Sequence, residues 1–170
     1  MNTYINYCGP VKSGKTTILG SVIERLKSQS FVSVVFEKKS KPKPGNPVEY
    51  RIVLEINGQI IAISTYGDSL VELQKNHILF DQYNAKVMVT ASHTHENHGH
   101  NLFIDNYVHN PIQFDNQISQ TRIKSENKGI FNYIKIHSIK FNNKVTEQKA
   151  VLKQNRENYL YNIILESLNL

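Results

Sequence analysis

The stretch Tyr4-Ile5-Asn6-Tyr7-Cys8-Gly9-Pro10-Val11-Lys12-Ser13-Gly14-Lys15-Thr16-Thr17-Ile18-Leu19-Gly20 decides how the rest of this chain is read. An apolar run enters Gly9, and a helix-like pattern follows Thr16. Between them Gly9, Gly14, Lys15 and Thr16 occupy every fixed position of the spacing G-x-x-x-x-G-K-[ST]. That spacing suits a segment wrapped around a phosphate. Backbone N–H groups point inward, and glycines remove side chains that would block close approach. A lysine at position 15 then reaches the outer phosphates, and the Thr16 hydroxyl is placed to bind Mg2+. The helix that follows turns its positive end towards the anion. Pro10, Val11, Lys12, Ser13 and Thr17 complete the expected contact surface.

Outward from this loop, strand and helix patterns alternate. Residues 3–8 read as a short buried strand. From 15 to 29, Ile18, Leu19, Val22, Ile23 and Leu26 fall on one helical stripe. Residues 31–36 are dense in β-branched and aromatic side chains and read as a strand, followed by a Pro/Lys/Gly loop over 40–47. Apolar runs at 50–56 and 59–65 flank Asn57-Gly58, a dipeptide that favours the type I′ hairpin turn. The second run lacks alternation, as expected of a strand covered on both faces. Ser69 and Glu72 have capping-box spacing and open a helix over 69–83, with Leu70, Leu73 and Phe80 inward. Strands are expected at 86–91 and 130–139, and a helix over 145–168 carrying Leu152, Tyr159, Leu160, Ile163, Ile164 and Leu168. The polar segment 99–128 offers little beyond a short helix at 101–108. The expectation is a single domain over residues 1–170, of α/β class, with three layers around a largely parallel central sheet.

At this point the chain resembles the P-loop NTPase and nucleotide-kinase superfamily. The specific match covers eight residues, and the α/β pattern extends the likeness over most of the sequence. The resemblance implies a three-layer P-loop NTPase-like fold that binds a nucleoside triphosphate with Mg2+ and hydrolyses it or transfers its phosphoryl group. Lys15 would hold the phosphates and Thr16 the metal. The superfamily usually brings an acid directly off a neighbouring core strand, and here Ser64 and Thr65 stand in that place. Asp68, just past Gly67, is the candidate substitute, binding the metal or its water. Alternatively Gly67 offers its N–H to a γ phosphate, or Asp68 only caps the next helix. Lys15 and Asp68 are thus the expected catalytic residues, and Thr16 and Asp68 the expected metal ligands. The Thr65-Tyr66-Gly67-Asp68 turn, its helix and the strand Val87-Met88-Val89-Thr90-Ala91-Ser92 also look like small bacterial P-loop proteins, a group that supplies no reaction. Lys12 lies three positions before Lys15, whereas the deviant P-loop subgroup has its signature lysine five before. It either adds charge near the phosphates or is solvated. A guanine-selecting Asn-Lys-x-Asp is absent, since Asn127-Lys128-Gly129 runs into Ile130, so ATP is the expected nucleotide.

Two other features compete for a role. His93-Thr94-His95-Glu96-Asn97-His98-Gly99-His100 has the spacing H-x-H-x-D-H of metallo-β-lactamase-fold hydrolases, with Asn97 where the acid belongs. Alternate histidines can converge on one ion, but the chain is short for that duplicated fold. The same loop ends a core strand at the edge where open α/β sheets gather ligands, so nucleotide or substrate contact is an alternative, and an inert polar loop a third. Arg122, Lys124 and Lys128 are placed as the cations of a mobile lid would be, or are simply solvated.

The 170 residues suit one domain with a substantial core, and 39% hydrophobic residues argue against a disordered chain. A net charge of +6 permits contact with a polyanion. The lysines are scattered except for Lys38, Lys39, Lys41 and Lys43, which read as a solvated run. No apolar run approaches the ~20 residues of a membrane span, and the amino terminus does not read as a secretion signal. The single Cys8 excludes an internal disulfide and fits a reducing cytoplasm. Three classes remain: an Mg-dependent NTPase or small-molecule kinase, a nucleotide-dependent switch or partner subunit with little turnover, and a metal-dependent hydrolase built on 93–100. The second would work with a protein partner or as a homo-oligomer. Nucleic acid is compatible with the charge but not indicated, and no membrane contact is expected.

Overall fold

A computed structural model describes residues 2–93, 107–114, 118–125, 131–138 and 146–170. Along the chain run β1 (Asn2–Gly9), α1 (Lys15–Lys27), β2 (Val32–Lys39), β3 (Tyr50–Ile56), β4 (Gln59–Ser64), α2 (Leu70–Gln82), β5 (Val87–His93), β6 (Tyr107–Phe114), β7 (Ile118–Ser125), β8 (Phe131–Ser138) and α3 (Thr146–Ser167). Among the described residues the strands form one eight-stranded sheet in the order β2-β3-β4-β5-β1-β8-β7-β6.

This sheet is mixed, which corrects the expectation of a three-layer P-loop NTPase-like fold with a largely parallel sheet. Four of the seven pairings are antiparallel: β2–β3, β3–β4, β6–β7 and β7–β8. Only β4–β5, β5–β1 and β1–β8 are parallel. Connection length is the physical reason. A parallel return needs a crossover of about a dozen residues or more. Asn57-Gly58 alone joins β3 to β4, and the segments 115–117 and 126–130 are too short for a crossover between β6, β7 and β8. Asn57 (φ 50°) and Gly58 (φ 75°) adopt the left-handed backbone that the I′ turn requires. Tyr107 and Val108 open strand β6 instead of ending a helix, so the helix expected over 101–108 is corrected there; 101–106 lie outside the described residues.

Helices cover both faces. The apolar stripe of α1 and the Leu160, Ile163 and Ile164 face of α3 pack on Ile5 and Tyr7 of β1, Ile52 of β3 and Ile61 of β4. On the opposite face Leu79 and Phe80 of α2 pack on Tyr4, Val53 and Ala62. Each fully buried aliphatic or aromatic side chain contributes about 1.5–3 kcal/mol. The start of α2 is fixed by Ser69, whose hydroxyl accepts from Glu72 N at 3.3 Å. At the outer edge Lys27 of α1 bridges Glu24 and Glu37, and Lys39, one of the four lysines of the run, joins the same group. Among the described residues no helix is long and apolar enough to cross a membrane.

Between β4 and α2 the chain passes directly against β5. A Cβ on Gly67 would lie 1.7 Å from the carbonyl oxygen of Ala91 and 2.8 Å from its carbonyl carbon. Both atoms are backbone, so no rotamer change relieves the clash. Gly67→Ala is therefore expected to destabilise the protein by about 1–3 kcal/mol. Thermal denaturation checks this, at roughly 2–4 °C per kcal/mol for a chain of this size; an unchanged Tm would show that the turn separates from β5 without cost.

Candidate functional site

Strand register assembles the site. Gly9 stands opposite His93 across β1–β5, and Ser64 opposite Thr90 across β4–β5. These three strands are parallel, so their carboxyl ends share the edge where α/β sheets bind ligands. After β1 the chain turns back on itself, with Ser13 N donating to Pro10 O at 3.2 Å. Lys12 (φ 62°) and Gly14 (φ 84°) both take the left-handed conformation. Gly14 caps α1 without a side-chain acceptor, and the first turn of α1 carries no acid. No side chain therefore caps the leading N–H groups at the positive end of this helix.

Lys15 sits at the base of this loop, 6% exposed. Its Nζ donates to Gly9 O at 2.8 Å and Pro10 O at 2.9 Å, and reaches Nδ1 of His93 at 3.4 Å. Burial pushes the lysine below its ordinary pKa of 10.5, while coulombic interaction with Asp68 and then Cys8 pulls it back up. Nε2 of His93 lies 2.8 Å from Oδ1 of Asp68. An ammonium can only donate and an ionised carboxylate can only accept. The pattern therefore assigns a neutral His93 whose Nδ1 accepts from Lys15 and whose Nε2–H donates to Asp68.

The turn carrying Asp68 is anchored from behind. Thr65 Oγ1 accepts from Tyr50 N at 2.8 Å, and Ser64 Oγ accepts from Tyr66 N at 3.2 Å. Asn76 of α2 donates to Tyr66 O at 2.6 Å and accepts from Arg51 Nε at 2.8 Å. Arg51 also pairs with Glu72 and lies 4.4 Å from the Tyr66 ring centre. Ser69, not Asp68, caps α2, so Asp68 projects with its side chain 69% exposed. A second carboxyl, Glu49, is pushed up by burial and then by the charge of Asp68.

A pocket of about 450 Å3 opens over these groups, bounded by Lys12, Lys15, Thr16, Asp68 and His93 and by Asn46 and Pro47 of the β2–β3 loop. Gly14 to Thr17, Asp68 and His93 are thus brought together. Arg122 and Lys124 lie in β7, paired with β6 and β8, and not in a loop that could close as a lid. Lys128, His95, His98 and His100 lie outside the described residues. Among the described residues no group of three His, Cys, Asp or Glu side chains is arranged to hold a metal.

Sequence reasoning missed Arg156 of α3. It is 2% exposed, with Nη1 3.5 Å from Ser13 O, and adds a buried cation beneath the loop. Its position on the stripe Leu152–Arg156–Leu160 was the available signal, a cation interrupting an apolar face. Asn46 and Pro47 gave no signal, because nothing local ties that loop to the site.

The lowered pKa of Lys15 fixes a pH dependence. Below the folded-state pKa both folded and unfolded chains carry the proton, and the cost of burying the charge is fully felt. Between that pKa and 10.5 only the unfolded chain binds it, so stability rises with pH across this window. Lys15→Met is expected to remove this rise, so that its Tm falls relative to wild type as pH climbs towards 10.5; a pH series of melting curves on both proteins checks the sign. No protein-family model, curated protein or solved structure matches this chain, and its function is read from the geometry of the site.

Proposed function

We propose that the chain binds a nucleoside triphosphate, ATP first among them, together with Mg2+, and cleaves or transfers the γ-phosphoryl group. One observation carries the reading. The Gly9–Thr16 segment stands between β1 and α1 with two left-handed residues, an uncapped helix start and a buried lysine, all bordering one pocket. Each of these favours a bound polyphosphate: amides and helix end by charge, glycine by close approach, lysine by reach.

The residues also suit Mg2+, though only alongside the phosphates. Thr16 and Asp68 both border the pocket and provide two oxygen donors. Mg2+ keeps several waters and commonly takes one or two protein oxygens plus substrate phosphates. When bound, the ion neutralises charge building on the phosphates. Lys15 turns its ammonium to the outer phosphate oxygens, Thr16 presents its hydroxyl, and Asp68 holds a water or the ion on the side towards α2. Catalysis of this type is mainly positioning and charge stabilisation.

A second reading, a nucleotide-dependent switch with little turnover, draws on β4. Its terminal hydroxyls, Ser64 and Thr65, are engaged with main-chain N–H groups and supply no charge at the strand end.

Thermal shift with nucleotides, with and without Mg2+, tests the reading. A hundredfold excess of ligand over its dissociation constant stabilises the protein by ~2.7 kcal/mol. ATP with Mg2+ is expected to raise Tm accordingly, and Lys15→Ala to abolish most of the rise. If no triphosphate shifts the wild type, the reading fails; a shift without phosphate release favours the switch.

A further inference from the structure

The loop lysine has no donor to spare. Its ammonium carries three N–H donors and no acceptor. Gly9 O, Pro10 O and His93 Nδ1 take all three, at 2.8, 2.9 and 3.4 Å. For Lys15 to reach a phosphate oxygen, at least one of these bonds must open. The bond to His93 is the longest and therefore the weakest, whereas the two carbonyl bonds also close the loop on itself.

His93 itself is held independently of the lysine. It ends β5, pairs in register with Gly9, and fixes Nε2 on Asp68 at 2.8 Å. When Lys15 turns to a phosphate, the ring stays in place and the Nδ1 lone pair opens into the pocket that His93 lines.

We propose that His93, oriented by Asp68, is the hydrogen-bond acceptor that aligns the attacking nucleophile. This inference rests on the triphosphate reading above. The nucleophile is water or an acceptor hydroxyl. Its oxygen forms a bond to the γ phosphorus as the bond to the β,γ-bridging oxygen breaks. The electron pair leaves with the diphosphate, and the nucleophile's proton ends on the phosphate product or in solvent. His93 orients the O–H and retains no proton at the end. Exchange of partners also makes alignment conditional: Nδ1 is occupied by Lys15 until a phosphate draws the lysine away. Nucleophile alignment and phosphate binding are thereby coupled through one hydrogen bond.

The test combines three measurements on full-length wild type, His93→Asn and His93→Gln. These are thermal shift with ATP and Mg2+, phosphate release, and the histidine side-chain 15N spectrum with a non-hydrolysable ATP analogue and Mg2+. Both variants are expected to keep the nucleotide-induced rise in Tm and to lose tenfold or more of the phosphate-release rate. In wild type the Nδ1 resonance of His93, identified by its absence in His93→Asn or His93→Gln, is expected to move on binding while Nε2 changes little. Unchanged release in a variant that still binds nucleotide overturns this inference alone, as does an Nδ1 resonance that binding leaves unmoved, or a wild type that binds but releases no phosphate. The spectrum is read on wild type and needs only one folded variant, His93→Asn or His93→Gln, for its assignment, so it decides the matter even where the other fails to fold. A wild type with no nucleotide-induced shift removes the triphosphate reading and this inference with it.

Discussion

Burial of one ammonium group at the carboxyl end of β1 is the constraint around which this molecule is organised. A lysine charge removed from water is costly unless acceptors replace the solvent, and burial lowers the pKa of Lys15. The acceptors come from the loop itself and from the end of β5, through Gly9, Pro10 and His93. No local segment could provide them together. They meet because β1 and β5 run parallel in a register that sets Gly9 beside His93. A one-residue slip would move every side chain of the strand to the opposite face and break the arrangement.

The mixed sheet leaves room for this arrangement at its centre. Parallel pairing is confined to β4, β5, β1 and β8, the strands whose carboxyl ends deliver the site and its flank. The wings, β2–β3 and β6–β7, return by short connections and are antiparallel. Covering the centre needs helices on both faces, which α1 and α3 supply on one side and α2 on the other. Arg156 lets α3 contribute more than cover, since its guanidinium reaches Ser13 O under the loop.

What was legible in the sequence is what covalent continuity enforces. The α1 stripe, the Asn57-Gly58 turn and the Ser69 cap are each set by neighbours a few residues away, and each is realised. The largely parallel sheet was misjudged, and only one of its four antiparallel pairs, β3 with β4, was announced in the sequence, by the Asn57-Gly58 turn. Strands β6 and β7 carried no periodicity strong enough to announce them. The contacts that matter most at the site span long separations, 78 residues between Lys15 and His93 and 143 between Ser13 and Arg156. Periodicity cannot report such pairs; strand register can, and register is not visible in a single sequence. Asp68 was found for its spacing after β4, but its bond to His93 was not foreseeable.

The site divides into a fixed part and a part that must exchange. Asp68 belongs to the fixed part. Its turn is pinned by Gly67 against Ala91 and by Asn76 and Arg51 through Tyr66. Such backing from rigid elements is what keeps a reacting geometry within the narrow limits that chemistry requires. His93 inherits that rigidity through Asp68 and through its place in β5. Lys15 differs, because every donor it would offer a ligand already serves the loop or His93. A site in which the acceptors are fixed and the cation must change partners discriminates between ligands by what they return to the lysine. An anion that offers strong oxygen acceptors compensates for the broken bonds, and a neutral molecule of the same size does not. Under the proposed triphosphate reading, selectivity for phosphate thus resides as much in the bonds Lys15 must surrender as in those it gains.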